Sequence, residues 1–242
     1  MNASKLVKKL SVAGVAAAAL TFGIGQAYAA PVELITNGGF ETGTFAGWIP
    51  VSNGSTGGCG SNVWEVNTTG HQGCQSNGTT VSAPISGIYG AFNTFDGAAT
   101  PYTLTQQIAV PDSVLGATLS FLDEFHMSYS GTLRTFRVDF YDAIGSTLLD
   151  NVFSQNPGYN ANQAWTLNTF DVTSLLSAQA GKTIDLRFTE IIPQGFTGPA
   201  GFGLDNVSLA ATVPEPATVA LLGLGLLGFA ASRRKSAHSK NA

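Results

Sequence analysis

Apolar residues in the middle of this chain recur at every second position over short runs. That is the period of a β-strand with one buried face. From Thr135 to Ala143, Phe136, Val138 and Phe140 face one way and Arg137, Asp139 and Tyr141 the other. Leu119, Phe121 and Phe125 mark a second strand within 117–129, and Ile184, Leu186 and Phe188 share a face in a third. Asp142 to Ser146 reads as a turn into a strand over 147–154. The last strand is expected over Leu204 to Leu209, with Leu204, Asn206 and Ser208 opposite Asp205, Val207 and Leu209. One helical turn is expected within 169–178, capped by Asp171 or Thr173. Many short strands parted by Gly, Pro and Asn clusters predict an all-β domain, a β-sandwich, over residues 30–212.

The two ends follow other patterns. Lys5, Lys8 and Lys9 precede an apolar run from Leu10 to Ile24, and Ala27-Tyr28-Ala29 follows. A basic start, an apolar middle and small residues around a cut site make a secretory signal peptide, residues 1–29, read by the export machinery. At the other end, residues 213–242, Pro214-Glu215-Pro216 is followed by an apolar stretch from Ala217 to Ala231 and then Arg233-Arg234-Lys235. As a helix that stretch rises about 22 Å, short of a hydrocarbon core of about 30 Å. Its trailing cations favour the cytoplasmic side, so it reads as a transient membrane anchor. Motif, apolar helix and basic tail together resemble the PEP-CTERM sorting signal of Gram-negative bacteria. The resemblance implies recognition by an exosortase-type membrane sorting enzyme and a destination at the cell surface or in the extracellular matrix, beside exopolysaccharide.

Composition narrows the function. Of 242 residues only 11% are charged, and 44% are hydrophobic. Between Pro31 and Thr212 four basic residues stand against fourteen acidic ones, a net charge of −10. Such a body does not suit phosphate backbones, so nucleic acid is excluded as a partner. Cys59 and Cys74, fifteen positions apart in an exported chain, are expected to form a disulfide. Asp123-Glu124-Phe125-His126 puts Glu124 and His126 on one strand face, but no nucleophile elbow, zinc-helix or phosphate-loop motif accompanies them. The reading is therefore non-catalytic. Trp64 and Trp165 lie in polar Gly- and Asn-rich stretches and are the candidates for stacking on sugar rings, while Trp48 is assigned to the core.

Two segments refine the fold. The domain opens Leu34-Ile35-Thr36-Asn37-Gly38-Gly39-Phe40-Glu41 and closes Phe202-Gly203-Leu204-Asp205-Asn206-Val207-Ser208-Leu209. The pair resembles the ends of galactose-binding-like jelly rolls, the fold of many carbohydrate-binding modules. That resemblance implies a jelly-roll sandwich and a structural calcium held by Glu41 and Asp205, with Asn37 a possible third ligand. The function expected is binding of extracellular polysaccharide. The alternative is a structural exopolysaccharide or biofilm matrix protein without a small ligand.

Overall fold

The computed structural model describes residues 31–52, 63–70, 81–95, 100–127, 134–158, 161–192, 200–214 and 223–225. Residues 30–214 form one compact unit, and residues 1–29 with 215–242 form another. Cys59 and Cys74 lie outside the described residues, as does the signal segment. In the second unit only a helical turn at 223–225 is described. Among the described residues no helix is long and apolar enough to cross a membrane.

The larger unit is an antiparallel sandwich of jelly-roll type. Its strands are β1 (Pro31–Glu33), β2 (Ile49–Val51), β3 (Glu65–Asn67), β4 (Gly90–Phe95), β5 (Thr100–Ala109), β6 (Gly116–Met127), β7 (Thr135–Asp142), β8 (Leu148–Gln155), β9 (Asn162–Asp171), β10 (Thr183–Ile192) and β11 (Ala200–Thr212). One sheet runs β3-β4-β11-β6-β9, with β1 also paired to β11, and the other runs β2-β5-β10-β7-β8. Period-two apolar residues from both sheets meet between them. Phe121 of β6 packs edge-on to Phe188 of β10 at 5.2 Å, and Phe136 of β7 meets Phe202 of β11 at 4.2 Å. These rings are fully or almost fully buried and form the aromatic centre of the core.

Local signals predict the hairpin between β7 and β8 well. The Asp142 carboxylate accepts the N–H groups of Ser146 and Thr147, and Gly145 takes φ +67, a left-handed turn conformation. The helix α1 (Thr173–Ala178) is shorter than expected, because residues 169–171 complete β9 against β6. Neither expected residue caps it: the N-cap is Val172, with no side-chain capping bond, and the Asp171 carboxylate just before it accepts the Thr173 N–H at 2.9 Å. The last strand also differs from a plain alternation. Its pairing with β6 shifts between Asp205 and Ser208, and Asn206 adopts φ 51. The bulge turns the chain over, so Leu204, Val207 and Leu209 are all buried.

Opening and closing segments are joined through their main chains. Val207 N–H donates to the Gly38 carbonyl at 3.0 Å, and Leu34 N–H to that of Leu209 at 3.0 Å. The Glu33 carboxylate accepts the N–H groups of Ile35 and Leu209, both at 2.8 Å, and the Ser208 hydroxyl.

Candidate functional site

The structure separates the two tryptophans expected to bind sugar. Trp64, placed on an exposed loop by its neighbours in sequence, is 5% exposed and stands edge-on to Phe202 at 6.0 Å. It is a core residue, which corrects the expectation. Polar neighbours do not decide burial when β3 carries the next residues into the sheet beside β4. Trp48 is buried against Phe40 and Phe188 and donates its indole N–H to the Asn37 carbonyl, as a core residue should.

Trp165 is half-buried on the outer face of the six-stranded sheet. It packs on Phe92, and its indole N–H donates to the Ala83 carbonyl at 3.1 Å. A Cβ on Gly203 would lie 2.8 Å from the Trp165 ring and 2.9 Å from Val81, so that position requires glycine. Residues 81–89 lie along this face as a strap. Three carboxylates hold it by its N–H groups: Glu124 holds Ser82, Asp205 holds Ser86, and Glu41 holds Ile88 and Tyr89.

Glu124 and His126 do share this face. The Glu124 carboxylate is 1% exposed and accepts the Ser82 N–H at 3.1 Å and the Ser82 hydroxyl at 2.9 Å, with His126 Nε2 at 2.9 Å. Ser82 therefore points at the carboxylate rather than at the imidazole, so the three groups are not ordered as nucleophile, base and orienting acid.

The calcium set divides. Glu41 and Asp205 both border Gly39: a Cβ there would lie 3.6 Å from the Glu41 Cγ and 3.9 Å from Asp205 Oδ1. Burial raises the Asp205 pKa to about 6, and the negative charge of Glu41 adds to the rise. The oxygens of both carboxylates accept main-chain N–H groups, Glu41 from Ile88 and Tyr89 and Asp205 from Ser86 and Asn206. Asn37 is engaged elsewhere. Its side-chain N–H groups donate to the Thr44 and Ala46 carbonyls, and its Oδ1 accepts the Thr42 N–H. Among the described residues no group of three or more His, Cys, Asp or Glu is placed to hold a metal.

A second organised polar surface lies on the outer face of the other sheet. Arg187 of β10 stacks over the Tyr141 ring of β7 at 4.1 Å. Beside them Arg137 pairs with Asp139 at 2.9 Å, and Asn151 of β8 donates to the same Asp139 oxygen at 2.6 Å. Asp185 lies near Arg187, and its pKa is raised by burial. Arg137, Tyr141, Asp185 and Arg187 are all half-buried, so their outer edges meet solvent while their stems are fixed. Flat ring, fixed guanidinium groups and amide are the donor and acceptor types that sugar hydroxyls require. Alternation in β7 places Arg137, Asp139 and Tyr141 on this face from sequence. The arrival of Arg187 and Asn151 depends on cross-strand register, which local pattern does not contain.

The fold is similar to that of several solved structures. The β-1,4-galactotriose complex of TmCBM61 aligns over 74% of this chain and 97% of its own, at 15% identity and a TM-score of 0.45. A Stig cyclase, Fisc from Fischerella sp. TAU, aligns over 76% and 100%, at 19% identity and 0.46. The enzymatically active domain of tailspike protein 4 from bacteriophage CBA120 aligns over 74% of this chain but only 21% of its own, at 13% identity and 0.47. No curated protein matches the sequence. Residues 212–235, beginning at the last residue of β11, match the PEP-CTERM protein-sorting motif, and this is an exported chain bearing a surface-sorting signal.

Proposed function

We propose that this surface-sorted protein is a non-catalytic binder of extracellular polysaccharide, and that the glycan lies across Tyr141, Arg187, Arg137 and Asn151, with buried Asp139 holding Arg137 and Asn151 in place. The observation that carries this reading is the stacked Arg187–Tyr141 pair beside an Asp139 that is itself gripped by Arg137 and Asn151. Side chains already held in place lose little freedom on binding. The net charge of −10 over Pro31–Thr212 favours a neutral or basic glycan over an acidic one. A single ring and a few hydroxyl contacts give dissociation constants on the order of millimolar to tens of micromolar. Glu41 and Asp205 would hold a structural calcium that supplies positive charge between the opening and closing segments.

Titration calorimetry of the exported chain against neutral oligosaccharides tests the reading, with Tyr141→Ala, Arg187→Ala and Trp165→Ala beside the parent. Saturable binding lost in the first two variants and kept in the third is expected. Loss in Trp165→Ala alone would move the site to the opposite sheet. Absence of any saturable binding would favour the matrix-protein alternative.

A further inference from the structure

The sorting motif begins before the folded domain has ended. The match starts at Thr212, the last residue of β11, which still pairs with Pro31 of β1 and Gly116 of β6. The Thr212 carbonyl also accepts the Leu115 N–H at 2.8 Å. Pro214 is only two residues on, so its Cα lies within about 8 Å of that ladder. Whatever grips Pro214 must therefore touch the surface around the end of β11.

That surface is a cleft. Val32, Pro111, Asp112, Ser113, Val213 and Pro214 line an open volume of about 320 Å³. Val32 reaches it because β1 pairs along the end of β11. The opposite wall, residues 110–115 between β5 and β6, is pinned by main chain. Val110 N–H donates to the Lys182 carbonyl at 2.9 Å, and the Pro111 carbonyl accepts the Gly181 N–H at 3.1 Å. A wall already fixed loses little freedom when a partner lands on it. Four of the lining side chains are apolar, and the two polar ones, Asp112 and Ser113, are exposed.

We propose that this cleft is a docking site for the membrane sorting enzyme that reads the motif at 212–235, and that it seats an apolar segment of that enzyme with a basic group against Asp112. The proposal rests on the match to the sorting motif. Val213 and Pro214 belong both to the motif and to the cleft, so the two form one continuous surface. Val32 and 111–113 are distant from the motif in sequence, so the enzyme reads the folded domain as well as the tail.

The rate at which the full chain loses Arg233-Arg234-Lys235 in the producing cells, followed by intact-mass spectrometry after a pulse of expression, tests this. Asp112→Lys reverses the one charge in the cleft, and Ser113→Trp fills it. Each should slow the loss about tenfold, the effect of one good contact. Their melting temperatures should match the parent, because both positions are exposed. A short Gly-Ser insertion between Val213 and Pro214 should slow processing similarly, because it frees the motif from the cleft. Ile144→Lys, at an 84% exposed position on the β7–β8 turn, should be processed at the parent's rate. Either cleft variant processed at the parent's rate, or an insertion that speeds processing, would overturn the proposal. Binding of the purified parent to vesicles of phosphatidylethanolamine and phosphatidylglycerol, or dimer formation, abolished by Ser113→Trp would assign the cleft to the lipid surface or to a second copy, and would overturn it too. A parent that never loses its tail would overturn both the docking site and the reading of the tail as a sorting signal.

Discussion

Gly38 and Val207 lock the beginning of the domain to its end. Val207 N–H donates to the Gly38 carbonyl at 3.0 Å, and a Cβ on Gly38 would lie 1.8 Å from the Val207 carbonyl oxygen. Both obstacles are main chain, so neither can swing aside as a side chain would. Gly38→Ala is expected to cost on the order of 2–4 kcal/mol, by forcing the opening loop off β11. Gly158→Ala, where nothing lies within 4 Å, should be close to neutral. Urea unfolding of the two variants beside the parent is the measurement. Equal midpoints for both would refute the lock.

Trp64 should behave as a core residue. Trp64→Ala is expected to cost about 3–5 kcal/mol, in the range of other buried aromatic truncations. Trp64→Phe should cost less, because among the described residues the buried indole N–H has no hydrogen-bond partner to lose. If Trp64→Ala leaves the melting temperature unchanged but lowers glycan affinity, the ring is at the surface after all.

Acid should stabilise the calcium-free protein before it harms it. Asp123 is fully buried, and its Oδ1 accepts side-chain N–H groups of Gln163 and Asn168. Burial lifts its pKa from 3.8 to about 6, and Asp205 rises to about 6 for the same first reason. The folded state therefore holds protons that the unfolded state has released. Their contribution to stability is fully present below the unfolded value and is lost as pH rises through the folded one. The urea midpoint should increase from about pH 7 to about pH 5, and Asp123→Asn should flatten that slope. A parent midpoint that falls steadily across the interval would contradict the assignment.

Calcium should act through Glu41 and Asp205. A cation that binds the folded state alone raises stability by about 2.7 kcal/mol at a hundredfold excess over its dissociation constant. The melting temperature in excess calcium should exceed that in excess chelator, and Asp205→Asn should remove the difference. Calcium should also shrink the acid slope, because it stabilises the charged form of Asp205. Identical melting curves with calcium and with chelator would exclude the site.

Processing should remove both ends. Intact-mass spectrometry of the exported product is expected to find no residue before Ala30 and none of the tail beyond roughly Pro216. A product that still contains Arg233-Arg234-Lys235 would show that the sorting motif at 212–235 is not cut.

Sequence alone determined the features that short stretches encode. Proline, apolar and basic residues in order define the sorting signal at 212–235, because such a signal is read as a linear segment. Period-two alternation defines β6, β7 and β10 and places Phe121, Phe136 and Phe188 in a core, because a strand's faces alternate by geometry. The Asp142 turn is equally local, since its carboxylate caps N–H groups four and five residues on. Tertiary structure decided everything that depends on which strand lies beside which. Trp64 is buried because Phe202, far along the chain, packs on it. Leu204 and Leu209 share the core because a bulge at Asn206 shifts the register; asparagine tolerates the left-handed φ, but the strand pairing decides that the bulge falls there. Arg187 reaches Tyr141 only through the β7–β10 ladder, where Asp185 is the residue directly opposite Tyr141. Such contacts arise from the pairing of distant segments, which is selected by the packing of the whole sandwich rather than by any window of the chain.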